Sequence, residues 1–110
     1  MFDKRVTVFE GKDILVGKFN PAAPGCYDNV LTFAYEVKTK RNLYFDVDSD
    51  IPISVAIAND DNSSAFHKED VTVGSFGPIS TADNKEMGLF LGVYPGDKAK
   101  VNIQIWMEKK

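Results

Sequence analysis

The sequence predicts an all-β fold, an antiparallel β-sandwich of about eight strands of jelly-roll or Greek-key type, with a closed β-barrel as the alternative. Three observations lead there. Apolar and polar residues alternate with a period of two along most of the chain, turn-forming residues interrupt that alternation at short intervals, and no window keeps helical spacing beyond about one turn. At 110 residues the chain has the size of one domain, so residues 1–110 are read as a single sandwich.

The elements follow in order. RVTVFE (5–10) and DILVGKF (13–19) read as two short opening strands, and NPAAPGCYD (20–28) as a long loop whose prolines keep it out of a central strand. VLTFAYEV (30–37) sends Leu31, Phe33, Tyr35 and Val37 to one face. After a connection at Lys38-Thr39-Lys40-Arg41, NLYFDVDSD (42–50) alternates most cleanly, with Leu43, Phe45 and Val47 inward and Tyr44, Asp46 and Asp48 on a wet face. A connection at Ser49-Asp50 leads to IPISVAIA (51–58), with Ile51, Ile53, Val55 and Ile57 inward. Residues 59–70 read as a polar loop before a strand beginning near Val71, in DVTVGSF (70–76). MGLFLGVY (87–94) and KVNIQIWME (100–108) close the chain as an antiparallel hairpin, because Tyr94-Pro95-Gly96-Asp97 places proline and glycine at the centre of a type II turn.

Composition excludes several classes of function. Hydrophobic residues make up 44% and charged residues 26%, which marks a folding chain rather than a disordered one. The net charge is -3 with acids and bases interspersed, so there is no basic stripe for nucleic acid. Cys26 is the one cysteine and forms no internal disulfide. MFDKRVTVFEGK carries charges where a signal peptide needs an apolar core, and no run approaches a membrane span. The expected compartment is cytoplasmic.

Chemistry is concentrated in IANDDNSSAFHKED (57–70), which holds the single histidine, His67. With one histidine and one cysteine the chain has no zinc set of the usual kind. A Cys26/His67 nucleophilic pair lacks an activating base in PAAPGCYDN, and no other catalytic constellation is present, so the chain is read as a non-enzyme. Asp46-Val47-Asp48-Ser49-Asp50 opens like an EF-hand loop. Ile51 stands where that loop needs glycine and Ile57 where it needs glutamate, which excludes it. Asp46 and Asp48 are accounted for by solubility. Asp60 and Asp61 are the candidate calcium ligands, in company with other loops.

The outward faces supply a third signal. With Val101, Ile103, Ile105 and Met107 inward, Trp106 points outward, and the same parity puts Phe90 and Tyr94 on the outer face of the preceding strand. These three residues form the predicted binding surface.

The segments NLYFDVDSDIPISVAIANDDNSSAF and MGLFLGVYPGDKAKVNIQIWME resemble, in their order of alternating strand, second apolar strand, polar loop and closing hairpin, the GOLD and pre-peptidase C-terminal type of β-sandwich. The resemblance implies a non-catalytic accessory or adaptor module that recognises protein, or less often carbohydrate, usually outside the cytoplasm or in the secretory path. The expected function is therefore a protein-binding adaptor or accessory module that uses the aromatic face. The alternative is a calcium-dependent carbohydrate- or lipid-binding sandwich.

Overall fold

The computed structural model describes residues 5–17, 30–94 and 97–109. These form six β-strands and no helix: β1 (Val6–Val16), β2 (Val30–Glu36), β3 (Arg41–Ala58), β4 (Ser64–Ser80), β5 (Glu86–Gly92) and β6 (Ala99–Lys109). Among the described residues no helix is long and apolar enough to cross a membrane. The loop expected at residues 20–28, with Cys26, lies outside the described residues.

All pairings are antiparallel, and β3 is the strand the others organise around. Its first half pairs with β6, from Arg41 opposite Lys109 to Ser49 opposite Val101. Its second half pairs along the same edge with β5, from Ser54 opposite Gly92 to Ala58 opposite Gly88. The other edge of β3 carries β4 along nearly its whole length. Adding β1 beside β6 and β2 beside β5 gives two halves, β1-β6-β3-β4 and β2-β5-β3-β4, continuous through β3 and β4. The halves enclose one apolar core, and Phe9 of β1 meets Phe33 of β2 at 5.0 Å between ring centroids, which nearly closes the structure into a barrel.

Alternation explains the core. Leu43, Phe45 and Val47 are buried on one side of the β3 bend, and Ile53, Val55 and Ile57 on the other. Met87, Leu89 and Leu91 of β5 and Val101, Ile103, Ile105 and Met107 of β6 complete it. Phe45 packs against Phe66 and Phe76 of β4, at 5.3 and 5.1 Å between centroids.

Four expectations are corrected. The strand count is six rather than eight, because segments separated by polar residues run on as single strands. The expected connection at Ser49-Asp50 is a bulged bend inside β3, where residues 49–52 oppose Thr72 alone. Its polar groups are satisfied on the spot: buried Ser49 donates its hydroxyl to the Ile51 carbonyl at 2.6 Å, and Asp50 accepts the Lys100 N–H at 2.9 Å. The loop expected over residues 59–70 shrinks to a turn at 59–63, since β4 starts at Ser64 and takes in His67, Lys68, Glu69 and Asp70. Those side chains are exposed, so their polarity costs the strand nothing. Finally, β5 and β6 do not pair with each other. The Asp97 N–H does donate to the Tyr94 carbonyl at 3.0 Å, and Pro95 and Gly96, the centre of the expected turn, lie outside the described residues; the two strands lie along different halves of β3.

Candidate functional site

The three aromatic residues of the expected binding surface do not share a face. Trp106 lies opposite Tyr44 near the start of β3, and Phe90 lies opposite Ala56 near its end, with the bend between them. Trp106 is buried at 7% exposure: it stacks on Tyr44 at 6.1 Å, the Arg5 guanidinium sits 4.0 Å from its ring centroid, and its indole N–H donates to Glu108 at 2.9 Å. Phe90 is half-buried, and Tyr94 alone is well exposed, at 64%.

Asp60 and Asp61 sit in a turn that is bonded to itself. The Asn59 N–H donates to the Ser63 carbonyl at 2.8 Å, and the Asn62 N–H to the Asn59 carbonyl at 3.0 Å. Asp61 Oδ1 accepts both the hydroxyl and the backbone N–H of Ser63, and these bonds, the hydroxyl first, hold its carboxyl below the usual range. Asp60 donates its N–H to Asn84 Oδ1 at 3.0 Å. Among the described residues no three His, Cys, Asp or Glu side chains converge as a metal site.

His67 lies on the exposed side of β4, its ring against Glu69. Glu69 in turn accepts the Ser54 hydroxyl at 2.8 Å, and the two bonds, Ser54 first, lower its pKa. The carboxylate stands between serine and imidazole, so the imidazole does not reach the hydroxyl as a nucleophile's base must.

On the outer face of the β1-β6-β3-β4 half a groove of about 560 Å³ crosses all four strands. Strand register places its side chains in rows. Glu10 is opposite Gln104, Gln104 opposite Asp46, and Asp46 opposite Ser75, a polar row running across β1, β6, β3 and β4. At the usual spacing between strands this row spans about 14 Å. A second row places Asn102 opposite Asp48 and Asp48 opposite Val73, with Asn102 accepting the Asp13 N–H at 3.0 Å. On the other flank, an aromatic row of Tyr44 and Trp106, with Thr7 opposite Trp106 on β1, borders through its two rings an adjoining hollow of about 390 Å³. Asp46 and Ser75 line both hollows, and the Ser75 hydroxyl donates to Asp46 at 2.6 Å. Gly77, at φ 127°, has room for no side chain, because a Cβ would meet the Tyr44 ring and the Leu43 carbonyl at 2.7 Å each. β4 therefore lies close against the aromatic row.

The outward parity of Asp46, Asp48, Asn102 and Gln104 was legible from the sequence, whereas the rows were not. They depend on the register of β1 and β6 and on a β3–β6 pairing between strands far apart in the chain.

No family model matches the chain, and no curated protein matches it. Among solved structures it is similar to one described as the carbohydrate-binding module CBM36 in complex with calcium and xylotriose. The identity is 13%, over 94% of this chain and 98% of that one, with a TM-score of 0.44.

Proposed function

We propose that the chain is a non-enzymatic binding module whose outer groove on the β1-β6-β3-β4 half takes a neutral carbohydrate. The row Glu10, Gln104, Asp46 and Ser75 carries this reading. Carboxylates accept hydroxyl protons, and the amide and hydroxyl both donate and accept, so the row matches a ligand that presents hydroxyls at short intervals. Tyr44 beside it offers an apolar surface for the C–H face of a sugar ring. Glu10, Asp46 and Asp48 outnumber Lys12 in the groove, which disfavours anionic ligands such as phosphates or acidic lipid headgroups. An open face with fixed polar groups suits binding, and the expected protein-docking surface has no continuous aromatic patch to rest on.

The test is titration of neutral oligosaccharides, three to six units long, followed by ¹H–¹⁵N spectra. Saturable shifts at Asp46, Asn102 and Gln104 are expected, with affinity falling about tenfold or more in Asp46→Ala, equivalent to about 1.4 kcal/mol. EDTA in a parallel titration separates direct recognition from a calcium-dependent mode. Equal affinity in Asp46→Ala and a Gln104→Ala variant would remove the groove as the site.

A further inference from the structure

A second hollow, of about 160 Å³, lies at the β3 bend, in the other half of the molecule from the carbohydrate groove. Val30, Pro52, Val93 and Tyr94 supply its apolar lining, and the adjacent acidic residues Glu69 and Asp70 line it as well. At about 30 Å³ per water it has the volume of roughly five waters, which suits a short alkyl chain with a polar end and is small for an extended ligand.

Charge and exposure narrow the ligand. Among the described residues the ion pairs are Arg5 with Glu108 and His67 with Glu69, and no described lysine or arginine pairs with Glu69 or Asp70. Glu69 is kept ionised by the Ser54 hydroxyl and the His67 ring. Tyr94 and Val30, at 64% and 55% exposure, leave apolar surface open beside that charge. A complementary guest is apolar along its length and cationic at its tip, with several hydrogens to donate to two carboxylates.

We propose that this hollow binds a primary alkylammonium group, the chemistry shared by free alkylamines and the lysine side chain. The alkyl chain lies against Val30, Pro52 and Val93. The ammonium donates its three hydrogens towards Glu69 and Asp70, and the Tyr94 ring adds a cation–π contact. Because it draws on none of the groove residues, the site stands or falls separately from carbohydrate binding.

The experiment is a ¹H–¹⁵N titration of the whole chain with n-butylammonium, with a Gly-Lys-Gly peptide blocked at both ends as a second arm. Butanol and tetramethylammonium serve as controls. Saturable shifts at Ser54, Glu69, Asp70 and Gly92 are expected with a dissociation constant of about 1 mM. Butanol lacks the charge and tetramethylammonium lacks N–H donors, so both bind at least about tenfold more weakly. Binding by the peptide but not by butylammonium assigns the source to a protein segment, and the reverse assigns it to a small amine. Glu69→Gln with Asp70→Asn lowers affinity about tenfold or more, and Tyr94→Ala about threefold. Asparagine tolerates the positive φ of 57° at position 70, so the double variant keeps the strand. Absence of saturable shifts in both arms, equal binding of butanol, or unchanged affinity in the double variant overturns the proposal.

Discussion

Tyr35 is 5% exposed and its hydroxyl has no hydrogen-bond partner among the described residues, whereas the equally buried hydroxyl of Thr81 is used twice. Thr81 donates to the Lys38 carbonyl at 2.7 Å and accepts the Arg41 N–H at 2.8 Å, which fixes the connection between β2 and β3. The two sites give opposite predictions for the loss of one oxygen. Thr81→Val leaves the part-buried Arg41 N–H and Lys38 carbonyl without their partner, so urea unfolding should show a loss of about 1 kcal/mol. Tyr35→Phe removes an oxygen that makes no bond, so stability should hold or rise by about 1 kcal/mol. The pH dependence adds a second signature. Burial pushes the Tyr35 pKa well above its ordinary 10.0, so above that pH the unfolded chain loses a proton that the folded chain keeps. Stability contributed by the neutral phenol is complete below pH 10 and declines above it, by up to about 1.4 kcal/mol per pH unit. Tyr35→Phe should flatten that alkaline decline in urea unfolding measured between pH 9 and 11, while Thr81→Val should leave it in place. Sequence parity placed Tyr35 inward. It could not show that the hydroxyl finds no partner there, because that depends on which groups the opposing strands bring near.

At the scale of elements, β3 shows why the inward residues were readable and the strand count was not. Ser49, Asp50 and Pro52 are residue types that ordinarily punctuate a chain, and only their partners distinguish a turn from a bend. Ser49 bonds within the bend and Asp50 reaches the backbone of β6, a contact across 50 residues of sequence. The bend nevertheless preserves parity: Leu43 to Val47 and Ile53 to Ile57 are all odd-numbered and all inward. Reading two strands in place of one therefore selected the same core. The closing pair failed for the converse reason. The sequence predicts a turn at Pro95-Gly96, but pairing is decided by where each strand's apolar face is buried. Leu89 and Leu91 sit beside the second half of β3, and Ile103 and Ile105 beside the first. The aromatic surface built on that hairpin separates accordingly, leaving Tyr94 at one hollow and Trp106 at another.

For the whole molecule, the consequence of one strand serving both halves is thermodynamic coupling. β3 contributes Phe45 and Val47 to the core beside β6, and Val55 and Ile57 to the core beside β5. Losing either half would leave β3 and β4 with an unpaired edge and expose the apolar face of the other. Neither half then has a core of its own, and unfolding should be a single transition. Trp106 is the one tryptophan in the chain and reports on the β6 side, while Leu89 is fully buried on the β5 side, opposite Ile57. Leu89→Ala should cost about 2–5 kcal/mol through lost burial and the cavity left behind. If the halves unfold together, that loss moves the urea midpoint of Trp106 fluorescence as far as the midpoint of far-ultraviolet circular dichroism. An unmoved fluorescence midpoint beside a shifted dichroism midpoint would instead show that β1-β6 and the first half of β3 hold together alone. Groove and hollow would then be separate stability units, and ligand at one would not raise the melting temperature reported by the other. With β3 continuous through the bend, a saturating ligand at either site should shift both probes equally.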